Sequence, residues 1–330
     1  MITGAAGQDG SILARSLRLE GSAVFGLVKP GHDSADLVRL SRYAPGIEIV
    51  ECDLRNGDEL TRMLRDFAPH EIFNFGGISS IVESIKNPDL THEVNVGSVE
   101  AILAGMREVS TGPSGVIPRL VTAASGAIFE GVDRSPQNEE TEPAPNSPYA
   151  RSKLEVISML REARDSEGLF VTSAILYNHE SPLRGEGFVT RKITMAVARI
   201  AAGLQSVLEL GDIEVARDWG WAPDYVRAMQ LMLVANPPAD FVLATGISHR
   251  LSFFIAKAFE AAGISDWKSY VVSTESNQRS VDTNLLVGDS RRAYLDLGWR
   301  HTVDFDSIAL AMVKFDQSLL VETSAQWSQE

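Results

Sequence analysis

The chain opens Met1-Ile2-Thr3-Gly4-Ala5-Ala6-Gly7-Gln8-Asp9-Gly10-Ser11, and the reading of this run decides the fold. A short apolar strand enters a glycine-rich turn, and Gln8–Glu20 then reads as a helix. Gly4, Gly7 and Gly10 permit a tight turn and let backbone N–H groups approach a pyrophosphate at a helix N-terminus. On this reading Gln8 and Asp9 flank the same ligand. Three glycines also suit an ordinary strand-to-helix turn, so the motif gains meaning only from its setting. Met1 already lies in the strand, which makes that strand short or continues it upstream.

That setting is a regular alternation. Ala23–Val28, Ile47–Cys52, Glu71–Phe75, Arg119–Ala123 and Leu169–Leu176 read as strands. Between them lie helical stretches. Leu60, Met63, Leu64 and Phe67 share one face of Asp58–Phe67, Val96, Val99, Leu103 and Met106 mark another helix, and a third runs from Tyr149 to Arg164. Strands alternating with helices at this spacing require right-handed crossovers and an α/β fold with a doubly wound parallel (Rossmann) sheet. After Tyr177 the pattern changes: 179–191 is polar and glycine-rich, and helices are expected over 192–204, 224–235, 251–262 and 308–319. Residues 1–176, with a return segment at about 214–247, read as the dinucleotide-binding domain. Residues 177–213 and 248–330 read as a smaller C-terminal substrate lobe.

Charge and composition narrow the partners. Lys and Arg number 30 against 44 Asp and Glu, a net charge of -14. No basic patch offsets this acidity, so nucleic acid is excluded as a partner. No apolar run approaches the roughly 20 residues that cross a bilayer, and no signal peptide is evident, so no membrane role is expected and the chain reads as cytoplasmic. Cys52 is the single cysteine, which rules out an internal disulfide and a thiolate metal cluster, and no metal is expected.

Several positions at the strands' carboxyl ends and on the helix that begins near Tyr149 carry candidate chemistry. Lys29 ends the second strand with no carboxylate before Asp33, which favours the 2′-phosphate of NADP over the free ribose of NAD, though NAD stays open. Asp53, with Leu54 beside it, either contacts the adenine or caps a helix. Tyr149 and Lys153 stand at i and i+4 on one helix, so the ammonium lies beside the phenol and is expected to bring its pKa down. Ser125 and Asn95 add polar groups at the ligand-binding edge, or cap turns there.

These residues carry a family resemblance. The chain resembles an extended short-chain dehydrogenase/reductase, of the epimerase/dehydratase group, and within it the GDP-mannose 4,6-dehydratase family. The stretches are Thr3–Ser11, Tyr177–Thr194 (YNHESPLRGEGFVTRKIT), Arg217–Val226 (RDWGWAPDYV) and Arg279–Asp289 (RSVDTNLLVGD). The resemblance implies a nucleotide-sugar substrate and a 4-keto intermediate. Tyr149 and Lys153 match the catalytic pair, and Ser125 the hydroxyl that binds the sugar's 4-oxygen. Asn178, Lys192, Arg217 and Arg279 match contacts to the nucleotide diphosphate, Val189 joins them on the substrate side, and Asp282 replaces a ribose-binding glutamate.

One departure bears on the reaction. The family reads Ser-Thr-Ser-Glu-Leu-Tyr where this chain has Ala124-Ser125-Gly126-Ala127-Ile128-Phe129. The glutamate that moves protons at C5 and C6 is thereby replaced by Ala127, whose methyl is neither acid nor base. The favoured reading is therefore C4 epimerisation of a GDP- or other purine-linked manno-configured sugar. The alternative is 4,6-dehydration with a substitute base; Glu130, three residues on, is expected to point elsewhere unless the loop is rearranged. A non-catalytic NADP-binding sensor has no need of the retained Tyr149–Lys153 pair. Leu154, Ile157 and Leu160, with Val156 and Met159 around the helix, suggest an apolar stripe for a homodimer or homotetramer.

Overall fold

The computed structural model describes residues 1–273 and 285–327 of the chain. Its first half alternates β1 (Ile2–Thr3), α1 (Gln8–Leu19), β2 (Phe25–Val28), α2 (Ser34–Tyr43), β3 (Glu48–Glu51), α3 (Gly57–Phe67) and β4 (Glu71–Asn74). Next come α4 (Ile81–Lys86), α5 (Pro88–His92), a π-helical turn at Glu93–Gly97, α6 (Ser98–Thr111), β5 (Arg119–Ala123) and a 3-10 turn at Gly126–Phe129. They are followed by α7 (Pro148–Glu167), β6 (Phe170–Leu176), β7 (Asn178–Glu180), α8 (Val189–Ala201), β8 (Leu208–Leu210), β9 (Ala216–Trp221) and α9 (Ala222–Met232). The chain then runs through β10 (Phe241–Leu243), β11 (Ser248–Arg250), α10 (Leu251–Ala261), β12 (Val271–Ser273), α11 (Arg291–Leu297) and α12 (Phe305–Trp327).

Seven parallel strands form the main sheet in the order β10-β6-β5-β4-β1-β2-β3. Strand order reverses beside β1, and in such sheets the crevice at that reversal takes the ligand. Thr3 closes the switch point by donating to Asn74 Oδ1 (2.6 Å) and accepting from Gly76 N (2.9 Å). Helices cover both faces: α1 and α9 pack with Ile2, Phe73 and Val121 in one core, and α3, α6 and α7 with Leu27, Ile72 and Leu120 in the other. Leu60 and Leu64 of α3 are fully buried, each contributing roughly 1.5–3 kcal/mol. Met63 and Phe67, expected on that face, pack half-buried at its margin, where Phe67 stacks on Phe25 at 4.2 Å between ring centroids.

The lobe has its own core of Ile193, Val197, Trp219, Phe254, Phe259, Ile308 and Met312. A three-stranded sheet, β11-β9-β7, links it to the main domain, and β10 returns the chain to the main sheet. The α2 helix is absent from the alternation read above, although its Leu40 is buried and Leu37 and Tyr43 pack against the same core. On α7, Val156, Ile157 and Leu160 are core, while Leu154 and Met159 are half-buried beside exposed Arg151, Glu155 and Ser158. The apolar stripe is thus narrower than the sequence suggested. No described helix is long and apolar enough to cross a membrane.

Candidate active site

The glycine turn is built to admit a ligand. Gly4 adopts φ +65° and lies so close to β4 that a Cβ there would sit 2.9 Å from Gly76 N. A Cβ on Gly10 would overlap the Gly4 carbonyl, which is why α1 begins tight against the turn. No side chain caps α1, so its first N–H groups are presented to an incoming phosphate. A dinucleotide fits this cradle, with Gly4, Gly7, Gln8 and Gly10 at the pyrophosphate and Leu54, packed against Gly76, on the adenosine side.

Asp9, a carboxylate in that first turn, would repel phosphate were it not neutralised. Its Oδ2 lies 3.0 Å from His179 Nε2, and His179 Nδ1 is 2.7 Å from the Tyr177 carbonyl. A carbonyl only accepts, so Nδ1 carries a proton, and the carboxylate holds a second proton on Nε2. Burial pushes the Asp9 carboxyl up, but His179 and Arg184 overcome it and hold Asp9 below its ordinary value. Burial likewise opposes the charge on His179, yet Asp9 raises its pKa overall. Gln8 completes the link: Nε2 donates to His179 O (3.1 Å), and Oε1 accepts from Ser181 Oγ (2.8 Å). The cofactor turn and the lobe's first strand are therefore clamped together.

Ser147 caps α7 by accepting from Ala150 N (3.1 Å), and Pro148 follows at the first helical position. This cap fixes Tyr149 and, one turn on, Lys153. The Lys153 ammonium is 5.8 Å from the Tyr149 ring centroid and donates to the Ala123 carbonyl at 2.8 Å. Burial lowers Lys153 to about 8. Burial also raises the phenol above its ordinary value, against the pull of a Ser125 hydrogen bond and of Arg184, while Glu130 and Asp9 push it further up. The Lys153 ammonium is directed at the Ala123 carbonyl; the expected lowering of the phenol combined this ammonium with the charge of a bound nicotinamide.

Asn95 lies in the π-helical turn, 3% exposed. Its amide donates to Ile78 O (3.1 Å) and Ser152 Oγ (3.0 Å) and accepts from Ile78 N (2.8 Å), tying the loop after β4 to α7 beside Lys153. Ser125 does cap a turn, accepting from Ala127 N at 3.2 Å, and from there reaches Tyr149. Ala127 is 8% exposed in the 3-10 turn. That turn has about three residues per revolution, so positions i and i+3 eclipse. Glu130, whose N–H bonds the Ala127 carbonyl at 3.1 Å, thus stands on the same side as Ala127, and its charge acts on the Tyr149 phenol.

Other candidates divide. Lys29 is exposed at the end of β2. Asp53 caps no helix, since Asn56 caps α3; its carboxylate is held by Arg55 at 2.5 Å and below its ordinary value by those hydrogen bonds. On the lobe, Asn178 pairs with Trp219, two residues from Arg217 on β9. Val189 begins α8, and the next-turn Lys192 donates to Glu209 O at 2.7 Å. Arg279 and Asp282 lie outside the described residues. The sequence reading passed over His179 and Arg184, both within the quoted YNHESPLRG string, because only the fold brings them to Asp9 and Tyr149. A cavity of about 860 Å³ opens away from this chemistry, between Thr245, Gly288, Arg291 and His301.

A doubly wound sheet, an open glycine turn and a Tyr–Lys pair with a serine at the strand ends define a short-chain dehydrogenase/reductase. Comparison with known proteins specifies the branch. The family model for GDP-mannose 4,6 dehydratase matches residues 1–312, and the chain belongs to that family. It is 36% identical to GDP-mannose 4,6 dehydratase 2 of Arabidopsis thaliana, over 97% of this chain and 87% of the relative. It is 33% identical to the GDP-mannose 4,6-dehydratase of Vibrio cholerae, over 96% and 93%. Among solved structures it is similar to UDP-glucose 4-epimerase of Thermus thermophilus with NAD (TM-score 0.81, 25% identity, 96% and 98% covered). A like fold is seen in the dTDP-glucose 4,6-dehydratase DesIV of Streptomyces venezuelae (TM-score 0.81, 23% identity, 96% of each chain). The chain is thus a nicotinamide-dependent enzyme of nucleotide-sugar metabolism.

Proposed function

We propose that the chain oxidises C4 of a GDP-linked, manno-configured hexose and reduces it again from the opposite face, so that the net reaction is C4 epimerisation. One observation carries this reading: Ser125, Tyr149 and Lys153 converge, while the adjoining wall offers the methyl of Ala127. A bound NADP supplies reversible hydride exchange at C4. Tyr149 takes the proton from O4 as the ketone forms and returns it as the alcohol re-forms. Ser125 holds O4, and Lys153 and Asn95 fix the phenol's surroundings. Neither half-reaction needs a group at C5, so no atom is lost and no outside reductant is consumed.

A second reading has its own observation. Glu130 shares the side of the 3-10 turn on which dehydratases carry their glutamate, and its field reaches the phenol. It supports 4,6-dehydration with Glu130 as the C5 base. Incubating the purified protein with GDP-mannose and related nucleotide sugars, with products read by mass and NMR, separates the two. Unchanged mass with an altered C4 coupling supports epimerisation; loss of one water overturns it in favour of dehydration. Leu154 and Met159 on α7 also support a homodimer, tested below.

A further inference from the structure

Gln137 lies in the loop between the 3-10 turn and α7 and is fully buried. Its Oε1 accepts from the Tyr177 hydroxyl (2.8 Å) and from Val287 N (3.2 Å). Its Nε2 donates to the carbonyls of Arg134 (2.6 Å) and Leu285 (3.2 Å). On the backbone, Gln137 N donates to Val287 O (2.8 Å), and the Gln137 carbonyl accepts from Asp289 N (2.7 Å). A buried amide with both lone pairs and both hydrogens engaged is held in one orientation, and removing it strands every partner it had. One loop residue thus fastens the run 285–289 and the end of β6.

What it fastens stands behind the nucleotide side of the site. Leu286 bridges Arg217 of β9, and Gly288 bridges Gln137. Asp218, next to Arg217, accepts from Gly288 N (3.3 Å), Thr245 N (2.9 Å) and Gly246 N (2.9 Å), so the run is held from both flanks. Tyr177 directly precedes Asn178. Its ring is pressed between Gly288 and Gly126 of the 3-10 turn: a Cβ would stand 2.8 Å from the ring on the first and 3.1 Å on the second. The Gln137–Tyr177 pair therefore touches the turn that carries Ala127 on one side, and on the other the backbone that carries Asn178 and Arg217.

We propose that Gln137 and Tyr177 are positioning residues for the nucleotide end of the substrate, anchoring Asn178 and Arg217 to the catalytic turn. This rests on the reading that Asn178 and Arg217 meet the nucleotide diphosphate. The test is calorimetric titration of GDP and, separately, of NADPH into native protein, Tyr177→Phe, Gln137→Met and the double variant, with a thermal melt of each. Tyr177→Phe keeps the ring and removes only the hydroxyl; it should weaken GDP about threefold to tenfold. Gln137→Met leaves two carbonyls and a hydroxyl without their partner and should weaken GDP about tenfold to a hundredfold. NADPH should stay within about twofold in both. The double variant should bind GDP no more weakly than Gln137→Met alone, because the two substitutions remove one shared contact. Should Gln137→Met not fold, Tyr177→Phe decides alone. GDP and NADPH lost in equal proportion, in step with the melting temperature, would show a role in the fold alone and overturn the assignment. GDP affinity unchanged in the variants overturns it too, while the nucleotide reading stands. Native protein that takes no GDP overturns that reading and the assignment with it.

Discussion

Two walls of the same site are built in opposite ways. Tyr149 and Lys153 stand on α7, a helix of 20 residues with a serine cap and a first-turn proline. Ser125, Ala127 and Glu130 stand on a 3-10 turn of 4 residues and its flanks. A long capped helix holds two side chains in a fixed relation, and the chemistry placed there is the part shared by epimerases and dehydratases. A single short turn can exchange one side chain for another without disturbing the sheet. On the proposed function, the difference assigns oxidation at C4 to the rigid wall and the fate of the 4-keto sugar to the short one.

The largest effect should come from the rigid wall. Tyr149→Phe removes the O4 proton transfer and should lower kcat by about 10²–10⁴-fold with little change in dinucleotide affinity. Turnover within threefold of native would break the comparison, since the phenol would then not be the acid–base group. Substitutions on the short wall should redirect the product instead. Ala127→Glu should add a water-loss product to the mixture, read by mass, at some cost in stability because the position is 8% exposed.

How much of this was legible in the sequence follows the same division. The i, i+4 spacing of Tyr149 and Lys153 is a property of any α-helix, and the β5 strand that ends before Ser125 carries Leu120 and Val121 in a short run, so both were readable. The direction of Glu130 was not, because a turn of four residues carries no side-chain pattern to read. The Ala123 carbonyl that takes the Lys153 ammonium was not legible either, because it lies on another element 30 residues away in the chain.

A smaller effect tests the clamp between cofactor turn and lobe. Asp9 is held below its ordinary pKa, so its contribution is present above the ordinary carboxylate range and is lost as pH falls through the folded value. His179 is raised, so its contribution is full below the ordinary imidazole value and is lost as pH rises through the folded one. The pair therefore stabilises most between about pH 4 and 6.5. Asp9→Asn should cost about 1–3 kcal/mol there and less at pH 9, measured by urea unfolding at both pH values. A loss independent of pH would mean that packing, not charge, joins the two parts. The smallest effect is at α7, where Leu154→Glu with Met159→Glu should convert a dimer to a monomer in light scattering. A native protein that is already monomeric would remove α7 from assembly.

The central claim, that the short wall leaves C5 without a working base, is tested most directly by running native protein with GDP-mannose in D2O and reading mass and isotope position in the product. The account predicts a sugar of unchanged composition, inverted at C4, with no deuterium at C5 beyond that in an enzyme-free control of the 4-keto sugar. A product that has lost water and carries deuterium at C5 would contradict it and require a substitute base, Glu130 or another carboxylate.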